Sequence, residues 1–200
     1  MVVMGGPMDV WEEEAHPWLV EEKQAIRGWV EWEHGPFLGV CLGHQLLAAA
    51  LGGEVGPMAD PEVGVVPIEL APAAATDPVF AKFGPQVVGL QWHGAEVTRL
   101  PEGAELLAST AACAVQAFRA GACAWGVQFH VEAGPTTVAE WRTVPEYRES
   151  LSRSSLDAAL LDAAVAERLG VMDQLAAGLA VGLLAAVDPD GERTPTPSAR

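Results

Sequence analysis

Hydrophobic and polar positions change their period along the chain, and the changes mark out the elements. Residues 9–18 read as a loop through His16-Pro17-Trp18. Residues 19–33 then carry Val20, Ile26, Trp29 and Val30 at helical spacing. The apolar run Phe37–Val40 predicts a strand and residues 43–51 a helix, which Gly52-Gly53 ends. Glycines and prolines divide residues 54–70 into short strands, and 71–78 form an alanine- and proline-rich loop. Further strands are expected at 87–92, 104–109, 114–119 and 124–131. Helices are expected at 136–149 and 156–187, the second broken near Gly170. Residues 188–200 are rich in Pro, Gly and charge, which predicts a disordered tail behind a single domain of residues 1–187. Strands interleaved with helices indicate an α/β sheet.

The strand-to-helix turn Gly39-Val40-Cys41-Leu42-Gly43-His44-Gln45 carries the strongest chemical signal. A cysteine at the apex, with a glycine two positions to either side, has the form of a nucleophile elbow. The glycines let a strained backbone pass close to its neighbours. The cysteine lies at the N-terminal end of a helix, where free N–H groups and the macrodipole favour a thiolate. Free cysteines in such turns also serve as buried structural thiols; the flanking glycines favour the nucleophile.

A partner for that thiol lies in Trp125-Gly126-Val127-Gln128-Phe129-His130-Val131-Glu132, which alternates with a period of two. A strand here would point His130 and Glu132 the same way. A carboxylate beside an imidazole orients it and favours its protonated form, and the imidazole can then shuttle a proton for the thiol. The competing reading is a surface pair on a half-exposed sheet.

These two segments resemble the class I glutamine amidotransferases, a family with a Cys-His-Glu triad. Val2-Val3-Met4-Gly5-Gly6-Pro7 resembles that family's oxyanion strand and loop, and Gln91-Trp92-His93-Gly94 its glutamine-gripping loop. The stand-alone, GMP-synthase-like subgroup is the most similar in appearance. The resemblance runs over roughly residues 1–185. It implies an open, mostly parallel, flavodoxin-like sheet flanked by helices. It further implies that Cys41 attacks the side-chain amide of glutamine, forming a γ-glutamyl thioester and releasing ammonia. His130 would then be base and acid, Glu132 its orienting group, and the N–H groups of Gly6 and Leu42 the oxyanion hole. Gln45, His93, Gly94 and Ala95 would contact the substrate. Two departures accompany the resemblance. Many relatives carry an acid where Ala95 stands, with Glu96 next here. Relatives also have a strand and a helix ahead of the Gly-Gly-Pro loop, so an incomplete N-terminus with uncovered apolar surface is expected.

Composition narrows the partners. A formal charge of −16 over 200 residues disfavours nonspecific binding to nucleic acid or anionic membranes. No secretory signal is visible, and the apolar run at 175–187 is too short to span a bilayer. Three cysteines without framework spacing fit a reducing cytoplasm, and Cys113 and Cys123 are expected to be structural thiols. His16, His34 and His44 read as structural; His93 stands apart through its loop. No cysteine–histidine spacing indicates a metal, and no cofactor is expected. No Gly-rich phosphate loop occurs, so a separate synthetase protein is the expected ammonia acceptor. The alternatives are a γ-glutamyl peptide or amide hydrolase with the same triad, and an inactive, N-truncated relative that acts by binding.

Overall fold

In the computed structural model, which describes residues 1–187, seven strands pair into one sheet. They are β1 (Val2–Val3), β2 (Phe37–Val40), β3 (Glu54–Leu70), β4 (Gln86–Arg99), β5 (Glu105–Ser109), β6 (Ala117–Ala120) and β7 (Ala124–Val127). The helices are α1 (Trp18–Arg27), α2 (Leu42–Ala50), α3 (Thr137–Trp141), α4 (Pro145–Arg153) and α5 (Ala158–Val187). Strand order is β1-β2-β7-β6-β5-β3-β4. Residues 188–200, where a tail was expected, lie outside the described residues.

The sheet is mixed. Parallel pairing, expected throughout most of it, occupies the part around Cys41: β1 with β2 and β2 with β7. The ladders from β7 across to β4 are antiparallel. The β6–β7 connection is short enough to close a hairpin, with Gly121 at φ +60°.

β2 and β7 are nearly all apolar because both faces of the sheet are covered. On one face Phe37, Phe118 and Ala124 pack against Leu19 and Ile26 of α1 and Leu42, Leu46 and Leu47 of α2. On the other, Val40, Trp125 and Val127 share a core with Leu175 and Leu179 of α5. A third cluster joins Leu90 and Trp92 of β4 to Val138, Leu151, Leu161 and Val165. Buried Asp77 ties the layers together, accepting hydrogen bonds from Arg119 Nε at 2.9 Å and Trp125 Nε1 at 3.2 Å.

Several elements differ from their sequence-based expectation, each for a local reason. The short strands of 54–70 form one strand, β3, with a register shift between Pro57 and Glu62. Its prolines are tolerated because only Glu69 and Leu70 pair with β5, so most of that edge needs no N–H donors. The helix expected over 136–149 breaks in two, since Val144 is extended (ψ 126°) and Pro145 starts α4. No break occurs at Gly170; its helix penalty of about 1 kcal/mol is outweighed by the flanking helix formers. α5 thus extends far beyond the apolar run at 175–187. By length and composition it is sufficient to cross a membrane. In this fold Leu161, Val165, Met172, Leu175 and Leu179 face the domain, while Leu160, Val181 and Leu184 are exposed.

Candidate active site

Cys41 stands between β2 and α2 with φ 52° and ψ −105°, a conformation L residues rarely adopt. Backbone contacts hold it there. A Cβ on Gly39 would lie 2.3 Å from the Gly43 carbonyl oxygen, and one on Gly43 would lie 2.1 Å from that of Val3. Only glycine admits such an approach, so β1, β2 and α2 meet at the turn. The Cys41 N–H donates to Val127 O at 2.9 Å, fixing the apex to β7. Leu42 is the first residue of α2, so its N–H has no acceptor within the helix. Gly6, Cys41 and Leu42 border one cavity of about 320 Å³.

His130 and Glu132 meet as expected, but not on a strand. β7 ends at Val127, and His130 is held by a single bridge to β4, its N–H donating to Leu90 O at 2.8 Å. The backbone stays extended enough that the i, i+2 pair still faces one way, and His130 Nδ1 lies 2.7 Å from Glu132 Oε1. Trp141 packs edge-on against the imidazole at 4.4 Å between centroids. Gly5 runs beneath both groups: a Cβ there would sit 3.1 Å from His130 Cε1 and 3.4 Å from Cys41 Cβ.

The electrostatics of this trio favour charge separation. Burial by itself would lower the His130 pKa. The charge of the Cys41 thiolate and the hydrogen bond and charge of Glu132 together outweigh burial and raise it to about 10. No described group meets hydrogen-bond geometry at Nε2, so the sulfur acts on the ring chiefly through its charge. Burial would raise Glu132; the hydrogen bond and charge of His130 outweigh it and hold the carboxyl below its usual range. A raised histidine stabilises the fold fully below its unfolded value near 6.5, and that contribution is lost as pH rises through about 10. In Cys41→Ala the largest raising influence is gone. His130 is therefore expected to titrate at lower pH, which NMR of the imidazole between pH 5 and 10 would detect; an unmoved titration would contradict the coupling.

The cavity wall gathers most of the remaining predicted residues. Gln45, His93, Gly94 and Ala95 all line it. Gln45 Nε2 donates to Ala95 O at 3.2 Å and to Gln128 Oε1 at 3.0 Å, so its carbonyl oxygen is the group left for a ligand. The segment expected as a loop at 91–94 lies within β4, and there His93 places Nδ1 2.9 Å from Ala95 O and Nε2 3.1 Å from Glu62 Oε2, propping the strand from behind. Glu96 does not replace the acid absent at position 95. Neighbouring strand positions face opposite sides, and its carboxylate lies against Cys113 instead. Burial pushes that thiol up to about 12. His44 is fully buried against Phe118, and burial lowers it to about 3, the behaviour of a neutral structural histidine.

Sequence reasoning missed the roof of the cavity. α4 contributes Glu146, Tyr147, Glu149, Ser150 and Arg153, with Arg153 donating to Ala59 O of β3 at 3.2 Å. Burial and the charges of Cys41, Glu132 and Glu146 push the Tyr147 hydroxyl above its usual range. The Val144-Pro145 break was the one available signal of a separate helix. It says nothing of where that helix packs.

Residues 1–140 match the glutamine amidotransferase class-I family. The chain belongs to the class I glutamine amidotransferase family. Among curated members of the family it is 33% identical over 137 residues to a glutamine-hydrolyzing GMP synthase subunit of Ignicoccus hospitalis, covering 68% of each chain. It is 36% identical over 136 residues to the glutamine-hydrolyzing GMP synthase of Thermotoga maritima, covering 68% of this chain. It spans only 25% of the length of that relative. Among solved amidotransferase structures, one from Thermotoga maritima superposes with a TM-score of 0.79 at 30% identity, covering 92% of this chain and 77% of that one. One from Methylobacillus flagellatus gives 0.75 at 25% identity, covering 100% and 79%. The mixed α/β sheet flanked by helices is thus the fold of this amidotransferase family.

Proposed function

We propose that this amidotransferase hydrolyses the side-chain amide of L-glutamine through a γ-glutamyl thioester on Cys41 and passes ammonia to a separate synthetase in the cytoplasm. The thiolate adds to the amide carbon, and the N–H groups of Leu42 and Gly6 receive the oxyanion; one such donor is worth about 3 kcal/mol. His130 gives its proton to the amide nitrogen, the C–N bond breaks and ammonia leaves. Water then passes a proton back to His130 and attacks the thioester, giving glutamate and regenerating the thiolate. Glu132 holds the ring in place throughout. Gln45 Oε1 accepts from the substrate's ammonium, and the backbone of Gly94 and Ala95 takes the rest of its amino-acid end. His93 positions that part of β4.

The observation that carries this reading is a sulfur at a strained turn, open to a cavity and charge-coupled to a buried imidazole whose far nitrogen rests on a carboxylate. The names of the relatives, glutamine-hydrolyzing GMP synthases and individual subunits of them, support a synthetase as the acceptor. The test is to incubate the purified chain with L-glutamine, quench rapidly and analyse the protein by mass spectrometry. Glutamate and ammonia should form in equal amounts, with a γ-glutamyl adduct on the peptide containing Cys41. Folded protein that releases no ammonia and carries no adduct would rule the proposal out.

One observation favours a second reading. Asp9, Glu12, Glu146 and Glu149 line the cavity against a single arginine, Arg153. Such a wall suits a γ-glutamyl amide whose leaving amine is cationic. Faster hydrolysis of γ-glutamyl diamines than of glutamine would select that reading over the first.

A further inference from the structure

We propose that Glu62, His93 and Cys113 form a binding site for a thiol-seeking divalent cation such as zinc, set behind residues 93–95 of β4. Their donor atoms, one from each residue, all lie within 4.8 Å of one another. They come from β3, β4 and the β5–β6 connection, so the fold brings them together where sequence spacing could not.

The His93 geometry is the central argument. Nδ1 faces the Ala95 carbonyl and therefore carries a hydrogen; Nε2 then faces a carboxylate oxygen at 3.1 Å. Two acceptors at that separation call for a positive particle between them. A proton satisfies the pair, and so does a metal ion, to which Cys113 adds a soft third ligand. Zinc bonds of about 2.0–2.3 Å place tetrahedral ligand atoms roughly 3.5 Å apart, so modest contraction of the trio suffices. The surroundings already have the form of an outer shell. His93 donates its other N–H to a backbone carbonyl. Thr110 Oγ1 donates to one Glu62 oxygen at 2.8 Å and Gln116 Nε2 to the other at 2.7 Å. On binding, a metal–sulfur bond forms and the thiol proton passes to solvent. Ala111 and Ala112, in the adjoining turn, are exposed and mark the entry side.

The site shares His93 with the wall of the glutamine cavity, but its test reads metal binding and not glutamine chemistry. A Cys41→Ala, Cys123→Ser variant keeps Cys113 as the single thiol of the chain. Titrated with cobalt(II), it is expected to bind one equivalent and to develop thiolate-to-cobalt charge-transfer absorption, which zinc then abolishes by displacement. Adding Cys113→Ser should remove that absorption. Glu62→Gln should weaken binding by at least the roughly 10–100-fold that loss of an outer-shell partner costs. Absence of charge transfer at saturating cobalt in folded protein would overturn the proposal. So would its persistence after Cys113→Ser, or an unchanged affinity in Glu62→Gln.

Discussion

Replacing Cys41 by alanine is expected to lower ammonia release from glutamine by at least about 10⁴-fold, the scale on which loss of a covalent nucleophile is felt. The remaining groups cannot compensate. His130 would have no thiolate to exchange a proton with, and Glu132 acts only through His130. The substitution removes one small buried atom and leaves the Cys41 N–H on Val127 O, so the fold should persist, with the urea midpoint lowered only by the loss of the charge coupling to His130. Loss of activity without loss of fold is the expected signature, and Cys113→Ala provides the contrast, since Cys113 does not border the cavity. Ammonia release within tenfold of the unaltered protein would exclude Cys41 as the nucleophile.

Gly43→Ala should have the largest effect on stability, about 3 kcal/mol or more. The new Cβ would fall 2.1 Å from Val3 O and 2.7 Å from Val3 C, and backbone cannot swing aside as a side-chain tip can. Relief requires β1 to pull away from β2. Gly5 and Gly6 follow β1 with only Met4 between, so the floor beneath His130 and Cys41 would move with it, and activity should fall too. Gly84→Ala is the control: no atom lies within 4 Å and its backbone is ordinary, so its effect should stay within about 0.5 kcal/mol. Chemical denaturation of both variants checks the difference; equal midpoints would mean the close approach is not real.

What could be read from the chain follows from the range over which each feature is determined. The elbow is local: two glycines and a cysteine define it, and Cys41 lies where they placed it. The His130–Glu132 pair was legible for a reason that proved incomplete. Any extended backbone turns residues i and i+2 the same way, whether or not it is hydrogen-bonded as a strand. The α4 roof was not legible because Leu151 is its only buried residue, too little pattern to show what it packs on. The continuity of β3 depends on its partner β4 and on which edge lies unpaired, neither of which is visible in residues 54–70 alone. The grouping of Glu62, His93 and Cys113 depends on the same long-range pairing. The outward turn of Glu96 required the register of β4.

The elbow is held by main-chain contacts among Gly39, Gly43 and Val3, whereas much of the cavity wall comes from α4, β3, β4 and the segment after β1. Reactivity and substrate choice therefore rest on separate supports. Exchanges at Glu146, Glu149 or Met58 can reshape what enters without shifting the sulfur, which leaves the domain free to diversify its clients while its reaction stays constant.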